Sequence, residues 1–218
     1  MEDTTIEDVL KTVADLYAKK EYQKALEILT VNKNKISEGV WHYNVGTIYG
    51  KLENLPMARY HLIEAEWKGA NSKEVIDNKI YIESKLEIPT LEKALSPSDY
   101  FVKGAITSSQ GILTSVSLLI LISALIVFWK KKSFVALMTG IALFSTVIGL
   151  NFWIISWDKM IVTNVQEIKE GPSEIFGLRG EIPPGLMIVG NKKGNWIEIV
   201  YPSRYQGWIK NSGLKELE

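Results

Sequence analysis

Two histidines, no cysteine and a scatter of carboxylates are what the chain offers to covalent, acid–base or metal chemistry. Without cysteine there is no disulfide, no thiolate nucleophile and no Cys-ligated metal. His42 and His61 stand singly on helical segments, where an isolated histidine packs or meets solvent, so no metal ligand is assigned. The acidic pairs Glu2/Asp3 and Glu64/Glu66 read as solvated charges rather than as a hydrolytic dyad. No P-loop, HExxH or GxSxG pattern occurs. The expectation is a non-enzymatic protein with no catalytic residue, no metal and no cofactor.

Charge distribution narrows the partners. Residues 1–103 hold 14 Lys/Arg against 17 Asp/Glu, and residues 158–218 hold 8 against 8. Neither half carries the basic stripe that nucleic acid requires. Between them, residues 104–129 and 133–157 have no charged side chain, and Lys130, Lys131 and Lys132 separate the two runs. At 1.5 Å per residue, Gly111–Trp129 and Phe134–Ile155 span about 28 and 33 Å, matching a ~30 Å hydrocarbon layer. The expectation is a transmembrane hairpin (111–129, 134–155), with Trp129 at one interface and Trp153 and Trp157 at the other. Ala136/Gly140 and Ser145/Gly149 form small-residue pairs along the second span that would admit close helix approach. Neither span holds an ionisable residue, which argues against transport. Positive-inside bias places the lysine loop in the cytoplasm and both termini on the far side. Met1-Glu2-Asp3-Thr4 has neither the basic nor the apolar region of a signal peptide, although a translocated head needs one.

Residues 1–90 read as helices, with Thr4 and Glu7 as a capping box and Val9, Val13, Leu16 and Tyr17 at helical spacing. Asn54 reads as an N-cap followed by Pro56 in the first turn. A helix over about Ser72–Glu87 follows, stopped by Pro89. Residues 91–110 form a linker and pre-membrane segment, with Ser96-Pro97-Ser98-Asp99 as hinge and fresh cap. Val45, Gly46 and Tyr49, then Ala58, Leu62 and Ala65, resemble the two helices of a tetratricopeptide (TPR) repeat. Val13, Leu16, Tyr22, Ala25 and Leu29 make a weaker copy, with Ala25 and Ala58 33 positions apart. Glu53 stands where that family has its turn glycine. The resemblance implies a concave binding face presenting Tyr43, Asn44, Thr47 and Lys51.

From Ile161 the pattern becomes short β-type runs, Ile161–Ile168, Leu186–Val189, Trp196–Tyr201 and Gly207–Ile209, punctuated by Gly and Pro. Five short strands within residues 158–218 suggest a small barrel. Gly171-Pro172-Ser173, Gly194-Asn195-Trp196 and Gly207-Trp208-Ile209 resemble, in order, the bacterial SH3-like (SH3b) domain. Tyr201 and Tyr205, beside the Pro202-Ser203-Arg204 loop, are candidate groove residues. Trp196 and Trp208 join them, with packing as their commoner role.

The fold expected is thus α plus membrane plus β: TPR-like repeats, a two-helix transmembrane hairpin and an SH3-like β-barrel. That order resembles the BatE family of Bacteroides-aerotolerance (Bat) proteins. The resemblance implies a leading signal, a periplasmic face on a bacterial inner membrane, and partners among von Willebrand A-domain proteins and a MoxR-type AAA+ ATPase. The function expected is a membrane-anchored scaffold, with a peptidoglycan-binding wall sensor as the alternative.

Overall fold

A computed structural model describes residues 5–107 and 110–217, with side chains described except at residues 107 and 110–113. Among the described residues it contains nine α-helices and a seven-stranded antiparallel sheet. The chain divides into two compact units. One joins the helical segment up to Lys93 with the strands from Asp158 onward; the other is Ala94–Trp157.

The first unit begins with α1 (Ile6–Ala18), α2 (Tyr22–Val31), α3 (Glu38–Lys51), α4 (Leu55–Trp67) and α5 (Lys73–Lys85), each packed on its predecessor. The capping box of α1 lies at Thr5 and Asp8: Asp8 N–H donates to Thr5 Oγ1 at 3.2 Å, and Thr5 N–H donates to the Asp8 carboxylate at 3.3 Å. The expected pairing of Thr4 with Glu7 therefore gives way by one residue at Glu7, and Thr4 lies outside the described residues. Asn54 caps α4 through Met57 N–H at 3.3 Å, with Pro56 in the first turn.

Each helix on the α1/α3/α5 side stops in the same way. Lys20, Glu53 and Glu87 each adopt a left-handed backbone, at φ 63°, 60° and 56°, one residue past the cap. Glycine usually fills that position because a Cβ is strained there. Glu53, the residue standing in for the expected turn glycine, makes that turn with a side chain. The stop after α5 is thus set at Glu87, and Pro89 instead opens a short α6 (Ile88–Leu91).

Packing follows the small residues. Val9, Val13, Ala25, Leu29, Val45 and Ile48 form one core between the first three helices. Trp41 joins α3 to α2 by donating from Nε1 to the Leu29 carbonyl at 2.8 Å. Gly46 lets α4 approach: a β-carbon there would sit 3.0 Å from Leu62 Cγ and 3.2 Å from the Ala58 carbonyl oxygen.

The strands are β1 (Asp158–Val162), β2 (Gln166–Lys169), β3 (Leu178–Ile182), β4 (Met187–Lys193), β5 (Trp196–Tyr201), β6 (Gly207–Lys210) and β7 (Leu214–Glu216). They pair in the order β3-β2-β6-β5-β4-β1-β7, every pairing antiparallel. The run expected over Ile161–Ile168 is broken at residues 163–165, because β1 pairs with β4 and β7 while β2 pairs with β3 and β6. Gly207, at φ 151°, lies where a β-carbon would overlap Ile168 and press on the Lys169 carbonyl. Inward alternation puts Ile197, Ile199 and Tyr201 on the core side of β5.

That core is completed from the helical segment. Ile88 is buried within it, and Leu86 and Leu91 pack against it. The residues that follow α5 thus close the sheet, and helices and strands form one unit.

The second unit holds α7 (Pro97–Thr107), α8 (Gln110–Lys131) and α9 (Phe134–Ile155). α8 and α9 pack side by side and are long and apolar enough to cross a membrane. Only 11% of either apolar window is buried, unlike the core helices of a water-soluble fold. Of the small-residue pairs, Gly140 makes the close contact: a β-carbon there would overlap that of Ala124. Gly149 and Ser145 are exposed.

Candidate functional site

Four residues expected on a binding face come together. α3 carries Tyr43, Asn44, Thr47 and Lys51 on one side, as spacings of three and four dictate, and all four line a groove of about 660 Å³ between α1, α3 and α5. α1 contributes Tyr17, and α5 contributes Asn78 and Tyr81, which sequence reasoning did not single out. Asn78 Nδ2 donates to Thr47 Oγ1 at 3.3 Å, and that hydroxyl donates to the Tyr43 carbonyl at 2.9 Å. Towards α1, the Lys51 ammonium lies 6.0 Å from the Tyr17 ring centroid, at the edge of cation–π range. Asn44 Nδ2 donates to its own helix at Val40, 2.8 Å away. Lys51 and Glu53 are the charged residues of a lining otherwise made of rings, amides, a hydroxyl and aliphatic carbon. Such a surface suits a peptide, whose backbone meets the amides and whose apolar side chains meet the rings.

Behind the groove lie the two histidines. α3 and α4 bring His42 Nδ1 and His61 Nδ1 to 3.1 Å, both side chains buried among Trp41, Tyr49 and Tyr60. At that distance one ring donates and the other accepts. Burial, helped by neighbouring lysine charge, pushes His42 down to about 4. Burial and then His42 push His61 down to about 3. Both are held neutral at pH 7, and the pair packs α3 against α4. Among the described residues no group of three His, Asp or Glu gathers as a metal site.

A second polar cluster joins α4 to the sheet. Arg59 is only 3% exposed. Its Nη1 donates to Glu92 at 2.7 Å and to the Gly185 carbonyl at 2.5 Å, and its Nε donates to Glu83 at 3.1 Å. Glu92 also accepts from Met187 N–H at 2.7 Å. Burial works against the guanidinium charge, but Glu92 and Glu83 outweigh it and hold Arg59 above its ordinary value. α4 is buried on more than one side, at Ala58, Arg59, Leu62, Ile63 and Ala65, as a helix with two packing partners is.

In the sheet, Tyr201 is 1% exposed and Tyr205 is buried in the core cluster, so neither ring presents a groove wall. Trp196 and Trp208 are half-buried and face outward on neighbouring strands, with Trp196 opposite Lys210 and Trp208 opposite Glu198. Trp196 lines a shallow cavity of about 210 Å³ with Gln166, Lys169, Glu174 and Lys210. Two ion pairs, Lys169–Glu167 and Lys210–Glu174, balance charge there.

Compared with protein-family profiles, with characterised proteins and with solved structures, the chain matches none.

Proposed function

We propose that this protein is a membrane-anchored adaptor, not an enzyme, whose helical groove holds a segment of a partner protein. The observation that carries the reading is the groove itself, with Tyr43, Asn44, Thr47 and Lys51 on one wall and no charge cluster to favour a small ionic ligand. Anchoring is supported by α8 and α9, whose apolar surfaces are left outward. The helical segment is read as TPR-like. Left-handed stops at Lys20, Glu53 and Glu87 recur at intervals of 33 and 34 residues, the period of such a repeat. The strands are read as an SH3-like barrel.

The resemblance to Bat proteins supplies the partner class: von Willebrand A-domain membrane proteins, with a MoxR-type AAA+ ATPase in the same assembly. It also supports a bacterial inner membrane with helices and strands in the periplasm. The helices up to Lys93 and the strands from Asp158, which precede and follow the spans in sequence, belong to one unit, in keeping with two crossings.

The test is binding of a von Willebrand A-domain partner to the full chain in nanodiscs. Thr47→Trp, which fills the groove, is expected to weaken binding at least tenfold. Lys11→Trp, at an exposed position of α1, is expected to leave it unchanged. Equal affinities for the two variants would contradict the groove assignment.

A second reading has its own observation. The outward Trp196 and Trp208 and the charge-balanced cavity beside Trp196 could hold a neutral polar ligand such as the glycan of peptidoglycan. Co-sedimentation with purified sacculi, lost in a Trp196→Ala variant, supports wall sensing; no sedimentation of the parent chain removes it.

A further inference from the structure

The exposed face of α7 is uncharged and partly aromatic. On a helix at a water boundary, charge faces outward and apolar residues face inward. Here the buried side holds Asp99 and Val102 with Lys103 half-buried, and the exposed side holds Pro97, Ser98, Tyr100, Phe101 and Gly104. Pro97, Tyr100, Phe101 and Gly104 follow helical spacing, so this is one continuous face, and it carries no charge. Tyr100 is 68% and Phe101 47% exposed, and Leu95, just ahead of the helix, is 61% exposed. Asp99 is used to close the turn at the start of the helix: its carboxylate accepts from Leu95 N–H at 3.0 Å, and its own N–H donates to Ser96 Oγ at 3.1 Å.

The outward face is continuous with the end of α9. The Phe101 ring meets Trp157 edge-on at 6.3 Å, and Trp157 meets Trp153 edge-on at 5.0 Å. Trp153 and Phe152 are themselves exposed. Aromatic rings with a polar edge concentrate at the headgroup level of a bilayer, and Tyr and Trp are the residues enriched there.

We propose that α7 is an interfacial helix, lying at the bilayer surface with Tyr100 and Phe101 among the lipid headgroups beside Trp153 and Trp157. The occupant of its apolar face is lipid. Other occupants are disfavoured because the face runs without a break into the belt at the end of α9. Its role is to fix where the chain leaves the membrane, so that the anchor is a hairpin plus a surface helix. The proposal rests on the reading of α8 and α9 as membrane spans.

The absence of native cysteine permits single-site labelling of the full chain. Tyr100→Cys removes an exposed ring. At Gly104 nothing lies within 4 Å of an added β-carbon, so Gly104→Cys is a second, independent probe of the same face. Each variant is labelled with a nitrobenzoxadiazole fluorophore in phosphatidylcholine vesicles, beside Leu119→Cys on α8 and Lys11→Cys on α1. At both α7 sites, lipid doxyl groups near the headgroup should quench at least twofold more than groups deep in the chain, and aqueous iodide should quench less than at Lys11→Cys. Iodide quenching equal to that at Lys11→Cys, with no lipid quenching, would overturn the proposal. Stronger quenching from deep doxyl groups would also overturn it, placing α7 inside the hydrocarbon. Leu119→Cys separates the two claims. Deep quenching there with none at the α7 sites defeats the surface helix alone, whereas no lipid quenching at Leu119→Cys defeats the spans and the surface helix together.

Discussion

The guanidinium of Arg59 and the carboxylate of Glu92, 33 positions apart, meet at 2.7 Å in a site that also holds the Gly185 carbonyl and the Met187 N–H. One buried cation thereby ties α4, the segment after α6 and the turn before β4. A buried ion pair of this kind adds little net stability over a well-packed apolar replacement, but removing one member leaves the other uncompensated. Its expected consequence is specificity of docking between the helices and the sheet.

Arg59→Met therefore leaves Glu92 buried without its cation and is expected to cost about 3–5 kcal/mol. Limited proteolysis should cut between the helical segment and the sheet, around residues 87–93, in the variant and not in the parent chain. Arg59→Met combined with Glu92→Leu should recover part of the loss. A parent-like pattern in Arg59→Met would mean that Ile88 and Leu86 suffice to hold the junction.

Acid should loosen the α3/α4 contact. The His42 and His61 values lie below the unfolded value near 6.5, so the unfolded chain takes up protons first. The contribution of the neutral pair is complete above about pH 6.5 and is lost as pH falls towards 4. At pH 5 each histidine accounts for on the order of 2 kcal/mol of lost stability. Thermal melts of the full chain in nanodiscs between pH 7.5 and 5 should show that slope, and a His42→Gln/His61→Gln chain should show it much reduced. An unchanged slope in the double variant would assign the effect to other groups.

Left-handed residues with side chains store strain. Glycine at position 20, 53 or 87 relieves about 1 kcal/mol of that strain, partly offset by its greater freedom in the unfolded chain. Glu53→Gly, within the ordered α3–α4 turn, should raise the denaturation midpoint, and Glu53→Val should lower it, because a β-branched residue tolerates that backbone worst. A midpoint lowered by Glu53→Gly would mean that the Glu53 side chain itself stabilises the turn.

Local patterns carried the reading of sequence into structure, and long-range contacts did not. The spacing of Val45, Gly46 and Tyr49 against Ala58, Leu62 and Ala65 located α3 and α4, because close crossing demands small residues at fixed intervals. Tyr43, Asn44, Thr47 and Lys51 came from the TPR resemblance, which implies a concave face, and they share one side of α3. β5 was found whole at Trp196–Tyr201. Strands β3 and β7 were missed: β3 is short and mostly exposed, and β7 has three residues. Tyr201 was assigned to a groove from its neighbouring loop, although its parity with Ile197 and Ile199 already placed it inward. Arg59 with Gly185 spans 126 positions, and no periodicity encodes such a pair.

The proposed topology holds the folded unit of helices and strands on the far side of a membrane, with the lysine loop of the hairpin in the cytoplasm. Its most direct test is a dual alkaline phosphatase/β-galactosidase reporter placed after Leu217 and, separately, within Lys130–Lys132, expressed from the native gene. The account predicts phosphatase activity at the C-terminal fusion and galactosidase activity in the loop. The opposite pattern would put helices and strands in the cytoplasm and remove the wall-sensing reading. The same activity at both positions would contradict the hairpin itself.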